Sequence, residues 1–309
     1  MRKYAVIVLA FILAVSCRQG GKKPAPAPAV RAFPQVEVPY MIQDPAERAD
    51  YATQHFWDAF LAGNHPTDSL HIAGVPRDDV EKQMGVFATL LEQYVPSPST
   101  AMEAFASRLS ENAAAFGPMT EMAEKYFYDP NSPLRSEECW LALAGALAKS
   151  PLADDAARGR YAWQAQLCSL NRPGAVATDF PFTDISGRRR TLHSVKAEYL
   201  LLIFGNPDCA ACKDLVAQMS ESPEISALEA SGRLKVVDIF IDREVDAWRS
   251  KAASYPSNWI NGYDHTFAIR EDLVYNVRAV PSLYLLDADK RVLFKDATTD
   301  AVLSFLAML

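Results

Sequence analysis

The chain has 309 residues, of which 50% are hydrophobic and 22% are charged, enough sequence for about two domains with buried cores. Its 38 acidic residues exceed its 31 basic ones, and the net charge of −7 argues against a nucleic-acid-binding protein, which concentrates basic residues. The counts of 13 Gly, 20 Pro and 5 Cys exclude collagen-like and disulfide-dense scaffolds.

The N-terminus has the pattern of an export signal. Two basic residues precede the apolar run 4–15, which is too short to cross a bilayer about 30 Å thick as a helix. Residues 13–17 at the end of this run read LAVSC, with Cys17 last, and they resemble the lipobox of bacterial lipoproteins. The resemblance implies that residues 1–16 are a signal peptide and that Cys17 is the lipid anchor. An ordinary signal peptide followed by a coincidental cysteine is the alternative.

Residues 17–39 (CRQGGKKPAPAPAVRAFPQVEVP) are predicted to form a tether. Alternating Pro and Ala favour extended polyproline II without a core. The basic residues of this segment suit an anionic membrane surface. Arg18 follows the lipobox cysteine, where enteric lipoproteins retained in the inner membrane carry Asp. We therefore expect a lipid-anchored, periplasm-facing protein of the cell envelope, with the outer membrane slightly favoured.

Residues 40–172 are predicted to form an all-α domain. Apolar residues at helical spacing form two stripes: Val80, Met84, Phe87, Leu91 and Tyr94, then Met102, Phe105, Leu109, Ala113 and Phe116. Proline-rich breaks at 96–98 and 129–133 predict turns between helices. His55, His65 and His71 do not have a metal-ligand spacing, so no metal site is predicted among them.

Two stretches of this segment, AERADYATQHFWDAF (46–60) and KYFYDPNSPLRSEECW (125–140), carry a resemblance. The segment resembles a bacterial domain of unknown function that precedes thioredoxin-like modules in lipoproteins. That resemblance implies no activity. The aromatic residues of 46–60 could line a ligand groove, but core packing is the expectation.

From residue 173 the pattern changes to alternating strands and helices. The apolar run YLLLIFG (199–205) is typical of a buried central strand, and Cys209-Ala210-Ala211-Cys212 follows it at the start of a helical segment, 213–228. Further elements are predicted as a strand at 233–241, a helix at 244–253, a strand after Val280-Pro281 at 283–286, a strand at 292–294 and a last helix capped by Asp300.

This order resembles the membrane-tethered TlpA/ResA type of thioredoxin-like protein over nearly all of 173–309. The match rests on DFPFTDISGRRRTL, FGNPDCAACKDL and AVPSLYLLDADKRV. It implies an α/β thioredoxin-like fold, in which helices flank a central mixed sheet, and a redox-active disulfide between Cys209 and Cys212. It also implies a cis Val280–Pro281 peptide whose exposed backbone binds the substrate chain.

The position of the cysteine pair indicates the role of each member. A helix N-terminus favours a thiolate, so Cys209 is the predicted nucleophile that forms a mixed disulfide. Cys212, one turn later, is predicted to resolve it. A lone CxxC also serves zinc, but a structural zinc site needs further ligands at matching spacing. We therefore expect neither a metal nor another cofactor.

Three positions depart from the family pattern. Asp208 stands where thioredoxins usually have Trp, and its carboxylate should disfavour a thiolate at Cys209. Ile203 replaces the buried carboxylate of thioredoxin, and Leu215 replaces the Glu of the ResA type. Proton transfer at Cys212 thus lacks both usual groups, which predicts slower resolution or a different, unidentified base.

Other cysteine chemistry fits the sequence less well. A peroxidase needs Thr at position 206, which is Asn206 here, and a copper chaperone needs a longer cysteine spacing with a placed histidine. His265 is expected to be a surface loop residue. In an exported protein Cys139 and Cys168 could form a disulfide, and buried free thiols are the alternative.

Together these patterns predict a membrane-anchored periplasmic thiol–disulfide oxidoreductase. Its expected partners are protein thiols or disulfides of the cell envelope and the membrane that holds the lipid, but not nucleic acid. The resemblance favours action as a reductant, and no residue indicates the upstream electron donor. A non-catalytic binding lipoprotein that uses the thioredoxin-like fold as a scaffold is the alternative. A folding factor whose client docks on the helical domain is a third option.

Overall fold

The computed structural model describes residues 30–95 and 97–309. The predicted signal peptide, Cys17 and most of the predicted tether lie outside these residues. Among the described helices, none has both the length and the apolar character needed to cross a membrane.

The described N-terminal half is mainly helical. Its helices are α1 (Pro45–Gln54), α2 (Asp58–Leu61), α3 (Arg77–Tyr94), α4 (Ser99–Glu111), α5 (Ala113–Phe127), α6 (Glu137–Leu147) and α7 (Asp155–Cys168). Side-chain caps define several starts: Asp44 accepts backbone N–H groups at α1, and Ser136 accepts that of Cys139 at α6. The predicted stripe on α3 is buried from Val80 to Leu91.

Two predictions for this half are wrong in detail. The region is not purely helical, because His71–Ile72 (β1) pairs antiparallel with Val75–Pro76 (β2). The positive φ angles of Ala73 and Gly74, 48° and 77°, close this hairpin, as a tight primed turn requires. The second stripe does not lie on one helix. Asn112 leaves the helical conformation between α4 and α5 and caps α5 by accepting the N–H of Ala115.

The aromatic residues of 46–60 pack in the core of the helical region. Phe56, Trp57 and Phe60 are buried, and Trp57 stacks on Phe105 of α4 with ring centroids 5.0 Å apart. Phe87 of α3 contacts the same group. These contacts favour core packing over a ligand groove.

The C-terminal half is built on a central mixed sheet, as predicted, and this sheet has seven strands. Its strands are β3 (Pro181–Asp184), β4 (Arg189–Thr191), β5 (Tyr199–Gly205), β6 (Leu234–Phe240), β7 (Ile260–Tyr263), β8 (Ser282–Asp287) and β9 (Val292–Lys295). The strand order is β4-β3-β7-β6-β5-β8-β9, with β5 parallel to β6 and antiparallel to β8. The short strands β3, β4 and β7 were not predicted.

Helices of this half are α8 (Ala210–Glu221), α9 (Pro223–Ala230), α10 (Val245–Lys251) and α11 (Thr299–Leu306). The single helix predicted for 213–228 is divided, because Pro223 cannot continue α8 and Ser222 caps α9 by accepting the N–H of Ile225. The last helix is capped by Thr298 rather than by Asp300, which lies in its first turn.

The two faces of the sheet have separate cores. Leu234 and Val236 of β6 pack with Leu215 and Met219 of α8 on one face. The alternate residues Val237 and Ile239 pack on the other face, among the aromatic side chains of Phe180, Phe182, Phe204, Tyr275 and Tyr284. The two-residue period of a strand therefore places the side chain of residue 238 on the α8 face.

Candidate active site

The cysteine pair lies where β5 ends and α8 begins. Cys209 is the N-cap residue of α8, and its sulfur accepts the backbone N–H of Cys212 at 3.3 Å. Both cysteines are free thiols, Cys209 partly exposed and Cys212 buried. The unpaired N–H groups and the dipole of a helix start favour negative charge at this sulfur.

The predicted substrate-binding residues lie beside the outer cysteine. The Val280–Pro281 peptide is cis, and the Cys209 thiol donates to the Val280 carbonyl oxygen at 3.5 Å. Val280 and Pro281 are both partly exposed. The fold thus brings Cys209, Cys212, Val280 and Pro281 together, although about 70 residues of sequence separate the two pairs.

Cys212 is held as a thiol. Burial raises the pKa of Cys212, and the hydrogen bond with Cys209 and the negative charge of Asp238 act in the same direction. A sulfur must be a thiolate to attack a disulfide. For Cys212 to attack a disulfide, a base would have to remove its proton.

The charge of Asp208 is compensated within the fold. Lys251, at the end of α10, forms an ion pair with the Asp208 carboxylate, and this contact lowers the pKa of Asp208. Asn206 shapes the same turn, since its side chain donates to Asp242 at 2.8 Å and accepts the N–H of Asp208 at 2.8 Å. The local sequence predicts Asp208 as an opposing charge but does not indicate its partner.

A buried carboxylate that the sequence analysis missed lies next to this site. Asp238 of β6 is 2% exposed, and its Oδ2 has no hydrogen-bond partner among the described residues. Burial raises the pKa of Asp238 to about 7. Asp238 pairs in register with Ile203, the position where thioredoxin has its own buried carboxylate. The buried carboxylate is thus supplied by β6 and not by the neighbouring strand β5, where thioredoxin has it.

The surroundings of Asp238 direct it towards the cysteine pair. Its side chain is on the face of the sheet that carries α8, the helix of Cys212. A Cβ atom on Gly205 would lie only 3.2 Å from Asp238 Oδ2, so the glycine at the end of β5 leaves the room that this carboxylate occupies. One signal in the sequence was available: an Asp at a buried position of the strand VVDIF needs a partner or a function.

A groove of about 460 Å³ opens beside the inner cysteine. Its lining includes Cys212 and Val216 of α8 and Tyr255 and Pro256 of the segment after α10. Burial raises the pKa of Tyr255, and so do the charges of Asp238 and Cys212. The groove therefore brings solvent close to Cys212.

The remaining residues considered from sequence lie apart from this site. The His265 ring contacts the Thr183 hydroxyl at 3.1 Å. Cys139 and Cys168 are buried free thiols without a bridge, and burial raises the pKa of both. Within residues 30–95 and 97–309, no cluster of three or more His, Cys, Asp or Glu side chains could hold a metal ion.

Comparison with known proteins assigns the N-terminal half. The sequence profile of a family described as a domain of unknown function, DUF5106, matches residues 16–171, half of the chain. The chain belongs to the DUF5106 family. The match covers the helical region and ends before the sheet begins. No protein of curated function matches the chain.

Solved structures extend the comparison into the C-terminal half. A thioredoxin-like protein from Bacteroides caccae is 34% identical, with a TM-score of 0.81, and the alignment covers 90% of this DUF5106 chain and 99% of that one. This match establishes a thioredoxin-like fold preceded by a substantial helical region. The C-terminal domain of an uncharacterized protein from Bacteroides fragilis is 42% identical over 44% of this chain and 98% of that chain, with a TM-score of 0.44.

A third structure bears an enzymatic name. It is the thioredoxin domain of a thiol-disulfide oxidoreductase from Bacteroides vulgatus, 19% identical over 44% of this chain and 96% of that chain, with a TM-score of 0.40.

Proposed function

We propose that this protein is a thiol–disulfide oxidoreductase that reduces protein disulfides through Cys209 and Cys212. The observation that carries the proposal is the placement of a partly exposed Cys209 sulfur at a helix N-terminus, 3.5 Å from the Val280 carbonyl. A substrate chain that pairs with the Val280 backbone would bring its disulfide to this sulfur. The buried Cys212 lies one helical turn further along α8.

The reaction transfers two electrons from the dithiol to the substrate. The Cys209 thiolate attacks one sulfur of the substrate disulfide, a Cys209–substrate disulfide forms, and the first substrate thiolate leaves. Cys212 then loses its proton and attacks the Cys209 sulfur, which releases the second substrate thiolate. The two substrate sulfurs take up protons, and the enzyme is left with a Cys209–Cys212 disulfide. An external dithiol donor must reduce that disulfide before the next cycle.

We further propose that Asp238 is the base for Cys212. Its carboxylate lies on the face of the sheet below α8, its pKa of about 7 suits proton exchange near neutral pH, and its Oδ2 has no competing partner in the described chain. When Cys212 attacks, Asp238 takes its proton, directly or through water. The groove beside Tyr255 is the route by which that proton then reaches solvent.

Trapping of substrates tests the proposed function. A Cys212→Ser variant can form the Cys209–substrate disulfide but cannot resolve it. When this variant is exposed to envelope proteins, we expect mixed disulfides that non-reducing electrophoresis detects and that dithiothreitol releases. The Cys209→Ser/Cys212→Ser double variant is the matched control and should trap nothing. If the single variant traps no more than the double one, the binding-scaffold alternative is favoured.

The membrane anchor is a separate proposal. It rests on the apolar run 4–15 and on Cys17, both outside the described residues. We expect the wild-type chain in the membrane fraction of the producing cells and a Cys17→Ala variant in the soluble envelope fraction, because the lipobox resemblance places the lipid on Cys17. Equal partition of the two chains into membranes would contradict this assignment.

A further inference from the structure

The loop that carries Val280–Pro281 is fixed on both sides by a buried group of charges. Before the proline, the Arg278 guanidinium donates to Asp296 Oδ2 at 2.9 Å. Directly after it, the Ser282 hydroxyl donates to Asp296 Oδ1 at 2.8 Å. Asp296 follows strand β9 and is mostly buried. One carboxylate of the C-terminal half therefore holds both ends of the loop.

The second carboxylate of this group comes from the helical region. Glu137, the first residue of α6, is only 3% exposed at its side chain. Its Oε1 accepts from Asn276 at 2.6 Å and from Arg278 at 3.2 Å, and its Oε2 lies 2.7 Å from the Lys295 ammonium. Both oxygens are thus engaged by groups of the C-terminal half, and two of those groups lie in the segment that leads to Val280.

Further contacts join the helical region to Arg278 and to the end of β9. The Arg278 guanidinium lies over the Tyr128 ring, with its Cζ atom 4.3 Å from the ring centroid. Arg135 donates to the Ala297 carbonyl at 3.2 Å and contacts Asp296. Lys295, on the far side of Glu137, also donates to the Cys168 carbonyl at the end of α7 at 2.7 Å. The helical region thus contacts the segment before Val280 through Glu137 and Tyr128, and the end of β9 through Arg135.

We propose that the helical region is a fixed part of the substrate-binding site, and that Glu137 is a positioning residue for the Val280–Pro281 loop. This inference rests on the proposed function. Removing one member of a buried ion pair leaves an uncompensated charge, so the contacts around Glu137 disfavour other positions of Arg278. Arg278 is two residues before Val280, whose carbonyl oxygen contacts Cys209. The helical region therefore sets where a bound substrate chain lies relative to the reacting sulfur.

A Glu137→Gln substitution tests this role. Glutamine has nearly the same size but only one acceptor oxygen and no charge, so it cannot both accept from Asn276 and Arg278 and pair with the Lys295 ammonium. With reduced protein in single turnover, we expect the rate of insulin disulfide reduction to fall by about 10- to 100-fold, because small displacements in a reacting complex are costly. Alkylation of Cys209 by iodoacetamide, which needs no backbone pairing, should be unchanged.

The neighbouring Glu138→Gln variant is the matched control. Glu138 lies in the same first turn of α6 but pairs with Arg172 at 2.6 Å, away from the loop. The Glu138→Gln variant should reduce insulin at the wild-type rate. A Tyr128→Leu variant removes the ring under Arg278 without removing a buried charge, and we expect a smaller loss of insulin reduction, again with normal alkylation. If Glu137→Gln fails to fold, the Tyr128→Leu variant still tests whether the helical region positions the loop.

The outcomes separate the two proposals. If the wild-type protein does not reduce insulin although Cys209 is alkylated, the proposed function itself fails. If the wild type reduces insulin and both Glu137→Gln and Tyr128→Leu do so equally fast, the positioning role is overturned and the proposed function stands. A parallel loss of insulin reduction and alkylation in the folded variants would also overturn it, because the damage would then extend to the cysteine pair.

Discussion

Replacing Cys209 with serine is expected to lower the rate of insulin disulfide reduction by at least about 10³-fold, the scale of loss that follows removal of a covalent nucleophile. A serine hydroxyl at the start of α8 can keep the local hydrogen bond from the Cys212 N–H, so the fold should persist. It cannot form a mixed disulfide, and Cys212 is too deeply buried to replace Cys209 as the attacking group. The measurement is reduction of insulin with dithiothreitol as donor.

Cys139→Ser is the control for this prediction. Cys139 is a buried free thiol in α6, and burial raises its pKa, so it should take no part in exchange. Its replacement should leave the rate unchanged if the protein folds. Full activity in Cys209→Ser would exclude the proposed chemistry, whatever the other variants do.

Replacing Asp238 with asparagine is expected to slow the second step by about 10²-fold, the lower range for loss of a general base. Attack by Cys209 should continue, so the mixed disulfide should accumulate during turnover. In the wild type, the rate of resolution should rise with pH through about 7, because Asp238 accepts a proton only when it is ionised. The asparagine variant should lack that rise. Rapid acid quenching followed by mass spectrometry measures the intermediate directly.

Asp246→Asn provides the control, since Asp246 is a fully exposed carboxylate in the first turn of α10. It should resolve the mixed disulfide at the wild-type rate. If Asp238→Asn resolves as fast as this control over the whole pH range, another group must take the proton from Cys212.

The Asp238→Asn substitution, which should slow resolution, should increase the stability of the fold above neutral pH. The pKa of Asp238 is about 7 in the folded protein against an ordinary 3.8, so between these values the folded state binds a proton that the unfolded chain has released. Stability therefore falls as pH rises from about 4 to about 7, by about 4 kcal/mol for a shift of this size. Asparagine removes that penalty but still buries an amide, so we expect a net gain of about 1–3 kcal/mol at pH 8 in urea unfolding. A loss of stability at pH 8 would contradict a raised pKa.

Local patterns were sufficient where the structure depends on neighbours in sequence. The run 199–205 coincides with β5 because a strand buried on both faces needs uninterrupted apolar residues. Cys209 lies at a helix start because Asn206 and Pro207 end the strand and two alanines favour the helix that follows. The division of 213–228 into two helices was missed, although Pro223 was a visible signal.

The groups that tune the site could not be found in this way. Asp238 lies beside the cysteine pair only because β6 is the parallel neighbour of β5 and because their register places residue 238 opposite Ile203. The pairs Asp208–Lys251 and Glu137–Lys295 likewise join distant segments. Such contacts depend on which elements pack together, and hydrophobic spacing along one segment does not contain that information.

The contact between Glu137 and Lys295 has a consequence for work with fragments of this protein. A piece that begins near residue 173 would keep Arg278 and Lys295 but lose Glu137, the carboxylate that both of them contact. Arg278 would keep Asp296 as its partner, but Lys295, now almost fully enclosed, would be uncovered without a carboxylate near the Val280–Pro281 loop. Such a fragment would present an ammonium group that the intact chain buries, so peptide selectivity measured on it would include a contact that the intact protein does not offer.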